Sequence, residues 1–172
     1  LSRYAVKTTN FGMLYGMGLA KLAYRLGTDE AHAAQIRSAQ RKVLGGVATL
    51  EAELKYPGRS NQFITTSGGR RYYREPNDER DMSYKLLNYL IQGSAADCTK
   101  QALINMANHP KFDGTLLVTV HDEINFSCPL RSVARNMKAL REAMLDVKFD
   151  VPMISDPKTG PRWGELTTYK EK

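Results

Sequence analysis

Four side chains near the start of the chain are spaced to handle a phosphate chain joined to a flat base. Arg3, Lys7, Phe11 and Tyr15 recur every four residues, with Asn10, Gly12 and Gly16 among them. On an α-helix each four-residue step advances about 400°, so successive members drift by about 40° and form one slowly turning stripe roughly 18 Å long. Cations at one end suit phosphate oxygens, and rings at the other suit sugar and base. The same spacing also describes an ordinary amphipathic helix, with Phe11 and Tyr15 in a core and Arg3 and Lys7 in solvent. Gly12 and Gly16 sit awkwardly with that reading. A glycine inside a helix costs about 1 kcal/mol and usually marks tight packing or the close approach of another molecule.

A second set of candidates is His121-Asp122-Glu123, between two apolar, β-branched stretches. Magnesium takes one or two carboxylates together with waters and substrate phosphates. Asp122 can supply one of these. Neighbours on a strand point to opposite faces, so Glu123 need not share the ion, and a second carboxylate must come from elsewhere. His121 could bond a phosphate or a sugar. A plain polar turn explains the triplet equally well, because Asp is a favoured turn residue. No Cys/His cluster has zinc-ligand spacing.

A third set lies on a long helical stretch, Asn88-Tyr-Leu-Ile-Gln92-Gly93-Ser94-Ala95-Ala96-Asp97. Asn88 and Gln92 share a face at i,i+4. Their amides could grip the minor groove, whose edge acceptors are common to all base pairs. The small residues after them permit close approach of another helix or of a nucleic-acid strand. Lys55, Arg59, Arg70, Arg71 and Arg74, interleaved with Tyr72 and Tyr73, add cations suited to a phosphate backbone or simply to solvent.

Elements to position these groups are legible. Helices are expected over 2–16, 17–26, 29–44 (with Thr28 as N-cap) and 47–55, broken at Gly45-Gly46 and ended by Pro57-Gly58. A hairpin joins 62–66 to 70–74 through Ser67-Gly68-Gly69, and Pro76 to Asp78 form a loop. A long helix follows over 81–108, then strands over 115–120 and 124–128. After Pro129 the apolar set Leu130, Val133, Met137, Leu140, Met144 and Val147 steps by three and four, the strongest helical period in the chain. The tail from Pro152 to Lys172, with Trp163, reads as loop. The fold class is α+β.

Composition sets the outer bounds. The 172 residues suit one domain, with 42% hydrophobic and 25% charged residues in the globular range. A net charge of +7 favours an anionic partner, nucleic acid first. Cys98 and Cys128 stand in unrelated contexts and read as free thiols in a reducing compartment. No apolar run approaches the roughly 18 residues of a membrane span. The chain opens at Leu1, and a fragment or one piece of a larger enzyme is expected.

Together the three sets resemble the DNA polymerase I family (family A). The Arg-x3-Lys-x3-Phe-x3-Tyr-Gly pattern, with Asn10-Phe11-Gly12 inside it, resembles motif B of the fingers. Gln92-Gly-Ser-Ala-Ala-Asp97 is similar to the palm helix, and Val120-His121-Asp122-Glu123 to motif C; Gly160, Trp163 and Gly164 resemble the family's C-terminal segment. The resemblance implies a mainly helical fingers region over 1–80, followed by palm elements over 81–172 (long helix, antiparallel hairpin, C-terminal helix). It implies that Arg3 and Lys7 hold the triphosphate of a dNTP, with Lys7 serving the leaving pyrophosphate. Phe11 would stack on sugar or base, and Tyr15 would sit near the templating base. Asn88, Gln92 and His121 would contact the primer–template, and Asp122 would ligate Mg²⁺ with Glu123 in support. Arg70 and Arg71 are the cations expected against the DNA backbone. The family's motif A aspartate lies N-terminal to motif B, so a second segment or subunit carrying motif A and the thumb is expected as partner. Tyr84 stands where the family commonly has arginine. The location implied is the cytoplasm of a bacterial or phage-infected cell. Two other readings stay open: a single-subunit RNA polymerase fragment, and a non-catalytic primer–template binding module.

Overall fold

The computed structural model describes residues 3–59, 63–73, 84–149, 151 and 153–170. Among the described residues its elements are six α-helices, two 3₁₀ turns and three two-stranded antiparallel ribbons, which bears out the α+β expectation. The chain divides into two compact units, Leu1–Ser94 and Ala95–Lys172, with the division inside the long helix.

The first unit begins with helices α1 (Arg3–Leu14), α2 (Leu19–Leu26), α3 (Glu30–Val43) and α4 (Gly45–Arg59). Glycine stops the first of them. Gly16 takes φ 70°, and the Met17 N–H closes back on the Gly12 carbonyl at 2.7 Å, the long-range bond of a Schellman ending. The cap of α3 is Asp29 rather than Thr28: its carboxylate accepts the His32 N–H at 2.7 Å. Asp outranks Thr at this position, and its charge suits the positive helix end. Gly45-Gly46 does not separate the helices. Only Leu44 leaves helical geometry (φ −102°, ψ 46°), and α4 starts at Gly45. At its far end α4 runs past Pro57 to Arg59 instead of ending at Lys55.

Leu22, Ala23 and Ala33 form the helical core, with Met17, Leu19 and Leu26 against it. Burying a leucine such as Leu22 stabilises by about 1.5–3 kcal/mol. Strands β1 (Phe63–Thr65) and β2 (Arg71–Tyr73) pair with Ile64 opposite Tyr72, around a turn where Gly69 adopts φ 83°. The loop expected at Pro76 to Asp78 lies outside the described residues. The last element of the unit is the first part of α5 (Tyr84–Ala107), which buries Leu86 and Leu87. Residues 81–83 of the expected helix lie outside the described residues.

The second unit holds the rest of α5, then β3 (Thr115–Val120), β4 (Glu123–Ser127), a 3₁₀ turn (Leu130–Ser132) and α6 (Val133–Leu145). Met106, Ala139 and Ala143 pack together with Phe112 and Phe126 around them, and Ala102, Ile124 and Val147 form a neighbouring cluster. The apolar period holds at Met137 and, just past the end of α6, at Val147. Leu130 departs from it at 93% exposure, because it belongs to the 3₁₀ turn and is out of phase with the helix. Asn136 takes a fully buried place instead. It bonds the Ser132 carbonyl at 2.9 Å and, through its oxygen, the Asp113 N–H at 3.1 Å.

The tail is not loop alone. Lys158–Thr159 (β5) pair with Thr167–Thr168 (β6). Gly160 permits this: a Cβ there would stand 2.2 Å from the Glu165 carbonyl oxygen. Among the described residues no helix is long and apolar enough to cross a membrane.

Candidate functional site

Helix α1 turns its threonines inward and its aromatic stripe outward. Thr8, Thr9 and Gly12 are buried, and the Thr9 hydroxyl satisfies itself on the Ala5 carbonyl at 2.8 Å. Arg3 and Lys7 are exposed, and Phe11 is 45% exposed. The reading in which Phe11 fills a core is therefore set aside. Gly12 lies under the Met17 side chain, where a Cβ would come within 2.9 Å of its methyl. That contact folds the chain back after Tyr15.

The stripe is internally organised. Lys7 Nζ stands 5.7 Å from the centre of the Phe11 ring, within reach of its negative face. Phe11 and Tyr15 have ring centres 5.8 Å apart, tilted by 35°. The result is an exposed cation, then a ring, then a second ring that is half-buried. A phosphate chain and a planar base fit that order chemically.

Tyr15 in turn meets the third candidate set. The Gln92 amide donates to the Tyr15 hydroxyl. Gln92 is exposed, whereas Asn88, one turn earlier, is half-buried and its Oδ1 has no partner among the described residues. Gly93 receives the β1–β2 hairpin, with Thr66 Cγ2 and Tyr72 Cε2 at 2.7 and 2.8 Å from where a Cβ would lie. Tyr72 stacks on Tyr89 with ring centres 5.1 Å apart and planes 15° apart. Ser94 Oγ accepts the Ser67 N–H at 3.0 Å. The hairpin thus clamps the turn of α5 that carries Gln92. Gly93 was the only sequence signal of this clamp; Tyr72, Tyr89 and Thr66 carried none.

On the other face of the hairpin the guanidinium of Arg71 lies 4.4 Å from the Phe63 ring centre, and Phe63 neighbours Tyr73 at 5.2 Å. Arg70 is exposed, and its N–H donates to the Thr66 hydroxyl at 3.1 Å. Arg74 lies outside the described residues, as do the side chains of Lys55, Arg59 and Tyr84.

In the second unit the acidic triplet forms a two-residue turn. Val120 pairs with Glu123, so β4 starts one residue earlier than expected and only His121 and Asp122 form the tip. His121 adopts φ 54°, a conformation uncommon for residues other than glycine. Such outliers are held in place by their surroundings and cluster at functional sites. Here the hairpin supplies the constraint: Ile124 is buried and Phe126 packs edge-on against Phe112 at 5.6 Å and 83°. His121, Asp122 and Glu123 are all exposed at its end. Among the described residues no three His, Cys, Asp or Glu side chains converge on one point.

Behind the hairpin, Asp113 accepts from the Asn136 amide at 2.5 Å and pairs with Arg135. The Asn136 bond, aided by Arg135, holds the Asp113 carboxyl below its ordinary value. Cys98 and Cys128 are free, and burial pushes both thiols up, towards the unreactive neutral form.

Comparison with known proteins yields consistent matches. The family model for DNA polymerase family A matches residues 1–165. A DNA polymerase of Mycobacterium phage D29 is 33% identical over 165 residues, covering 95% of this chain and 26% of that protein. DNA polymerase I of Deinococcus radiodurans is 32% identical over 172 residues, covering 94% of this chain and 18% of that protein. Among solved structures, the POL domain of Pol1 from M. smegmatis, in complex with DNA primer-template and dNTP, is similar with a TM-score of 0.75 at 30% identity. That match covers 86% of this chain and 28% of the other. The chain thus spans well under a third of the length of each of these relatives.

Proposed function

The chain belongs to DNA polymerase family A, and on that premise we propose that it forms the fingers (1–80) and part of the palm (81–172) of a template-directed DNA polymerase. The observation that carries the reading is the outward stripe of α1, with Lys7 beside Phe11 and the threonines turned inward. Arg3 and Lys7 bind the triphosphate of the incoming dNTP. Lys7 neutralises charge that develops on the leaving pyrophosphate and can give it a proton. Phe11 stacks on sugar or base. Tyr15, held by Gln92, borders the templating base.

Asn88 and Gln92 lie against the primer–template minor groove. Arg70 and Arg71 meet the DNA backbone, and His121 touches the primer end. Asp122, exposed at a rigid turn, is chemically suited to hold Mg²⁺, with Glu123 in support. Two metal ions held there would stabilise charge on the attacking and leaving oxygens. A single carboxylate ligand does not complete that site. The segment carrying motif A and the thumb, from the same protein or a partner, supplies the rest, and the 172 residues alone should not extend a primer. The enzyme would work in the cytoplasm of a bacterial or phage-infected cell.

The test is Lys7→Ala in the complete enzyme. Removing one preorganised donor to transition-state charge costs about 10²–10³ in rate. Incorporation should slow by that order, while primer–template affinity barely changes. An equal loss in both would remove Lys7 from the triphosphate. Preference for rNTPs over dNTPs in the same assay would favour an RNA polymerase instead.

A further inference from the structure

Polar ties hold α1 where an apolar core would ordinarily do so. Its buried residues include Thr8, Thr9 and Gly12, and among the described residues no large apolar side chain of α1 is buried. Two side chains of α3 reach it instead, and at i,i+3 they lie on one face of that helix. The Gln40 amide donates to the Asn10 side-chain oxygen, one residue before Phe11. The Arg37 guanidinium donates to the Met17 carbonyl, in the turn that follows Tyr15. Leu14, Leu44 and Val47 line the cleft around Asn10 and Gln40. In apolar surroundings a hydrogen bond is electrostatically stronger than in water. Stability alone does not account for these two residues. Arg37 Nε and Gln40 Oε1 are buried without a partner among the described residues. Apolar side chains of similar shape would not carry that cost. What the two bonds add is direction, since apolar burial is non-directional and a hydrogen bond is not.

We propose that Arg37 and Gln40 are positioning residues for the incoming nucleotide: they fix the rotation and tilt of α1 so that Arg3, Lys7 and Phe11 meet triphosphate and sugar together. Neither side chain touches the nucleotide; both act through α1. This inference rests on the reading of α1 as the nucleotide-gripping helix.

The test is single-turnover incorporation by the complete enzyme, which separates dNTP affinity from maximal rate. Gln40→Met keeps the length of the side chain and removes the donor. A loosened α1 has its stripe in place in fewer molecules, and apparent affinity falls by that fraction. The dNTP dissociation constant should rise about three- to tenfold, the range of one net hydrogen bond. Ground state and transition state lose equally, so the maximal rate should stay within about twofold of wild type. Primer–template affinity should not change. Arg37→Met should behave in the same way. Asn10→Ala combined with Gln40→Met should be no worse than either change alone, because both remove one bond. An unchanged dNTP dissociation constant in Gln40→Met or in Arg37→Met would overturn the inference. So would an equal loss of primer–template affinity, or additive effects of the Asn10 and Gln40 changes. Lys7→Ala separates the two failures: if it still slows incorporation the reading of α1 stands, and if it does not that reading falls too.

Discussion

Replacing Gly93 by alanine tests how α5 is held. An added Cβ would lie 2.7 Å from Thr66 Cγ2, 2.8 Å from Tyr72 Cε2 and 3.1 Å from the Tyr72 hydroxyl. Carbon pairs sit best at about 3.5–4.0 Å, so two contacts are short by nearly 1 Å. Neither neighbour yields freely. Tyr72 is stacked on Tyr89 at 5.1 Å, and the Thr66 hydroxyl is fixed by the Arg70 N–H at 3.1 Å. Overpacking of this kind costs about 1–3 kcal/mol. Alanine recovers about 1 kcal/mol of helix propensity. The net loss should be about 1 kcal/mol, a fall in Tm of about 2–4 °C for a chain of this size. Urea unfolding and calorimetry read it directly. Thr66→Ser removes Cγ2 and keeps the hydroxyl, so the double variant should regain part of the loss. The hairpin clamp is refuted if Gly93→Ala is as stable as wild type and Thr66→Ser makes no difference to it.

Other outcomes follow from the same geometry. Asp122→Ala in the complete enzyme should abolish incorporation and leave primer–template binding largely intact; near-normal turnover excludes Asp122 as a metal ligand. Asn136→Ala leaves the Asp113 N–H and the Ser132 carbonyl without their buried partner and should cost about 1–3 kcal/mol in urea unfolding. The Asp113 carboxyl lies below its ordinary value of 3.8 in the folded chain, with the Asn136 bond the largest cause. Its contribution is therefore complete above that value and is lost as pH falls through the lower folded one. The stability gap between wild type and Asn136→Ala should narrow in that acid window and stay constant near neutrality; a gap that widens on acidification would reverse the assignment.

Local chemistry made much of this protein legible in sequence. Runs of β-branched residues marked β3 from end to end, because a strand of that composition has few alternatives. Four-residue spacing marked the α1 stripe. What spacing could not decide was which face of α1 looks outward. Ordinary hydrophobicity would bury Phe11; the fold buries Thr8 and Thr9 instead, since a threonine hydroxyl can satisfy itself on the preceding turn. The cap of α3 was misplaced by one residue because Thr28 and Asp29 are both cap formers, and only geometry ranks them. The β5–β6 ribbon was invisible because two-residue strands have no period. It depends on one backbone approach at Gly160. The clamp of Tyr72 on Tyr89 joins residues with no local pattern in common, so it surfaces only in three dimensions.

The central claim is that α1 grips the nucleotide while the His121-Asp122 turn brings a metal-binding carboxylate. A structure of the complete enzyme with primer–template, a non-reactive dNTP and Mg²⁺ measures both distances at once. The account predicts triphosphate oxygens within about 2.7–2.9 Å of Arg3 and Lys7 nitrogens. It also predicts an ion about 2.0–2.1 Å from Asp122. A triphosphate seated away from α1, or ions held only by carboxylates elsewhere, would contradict it.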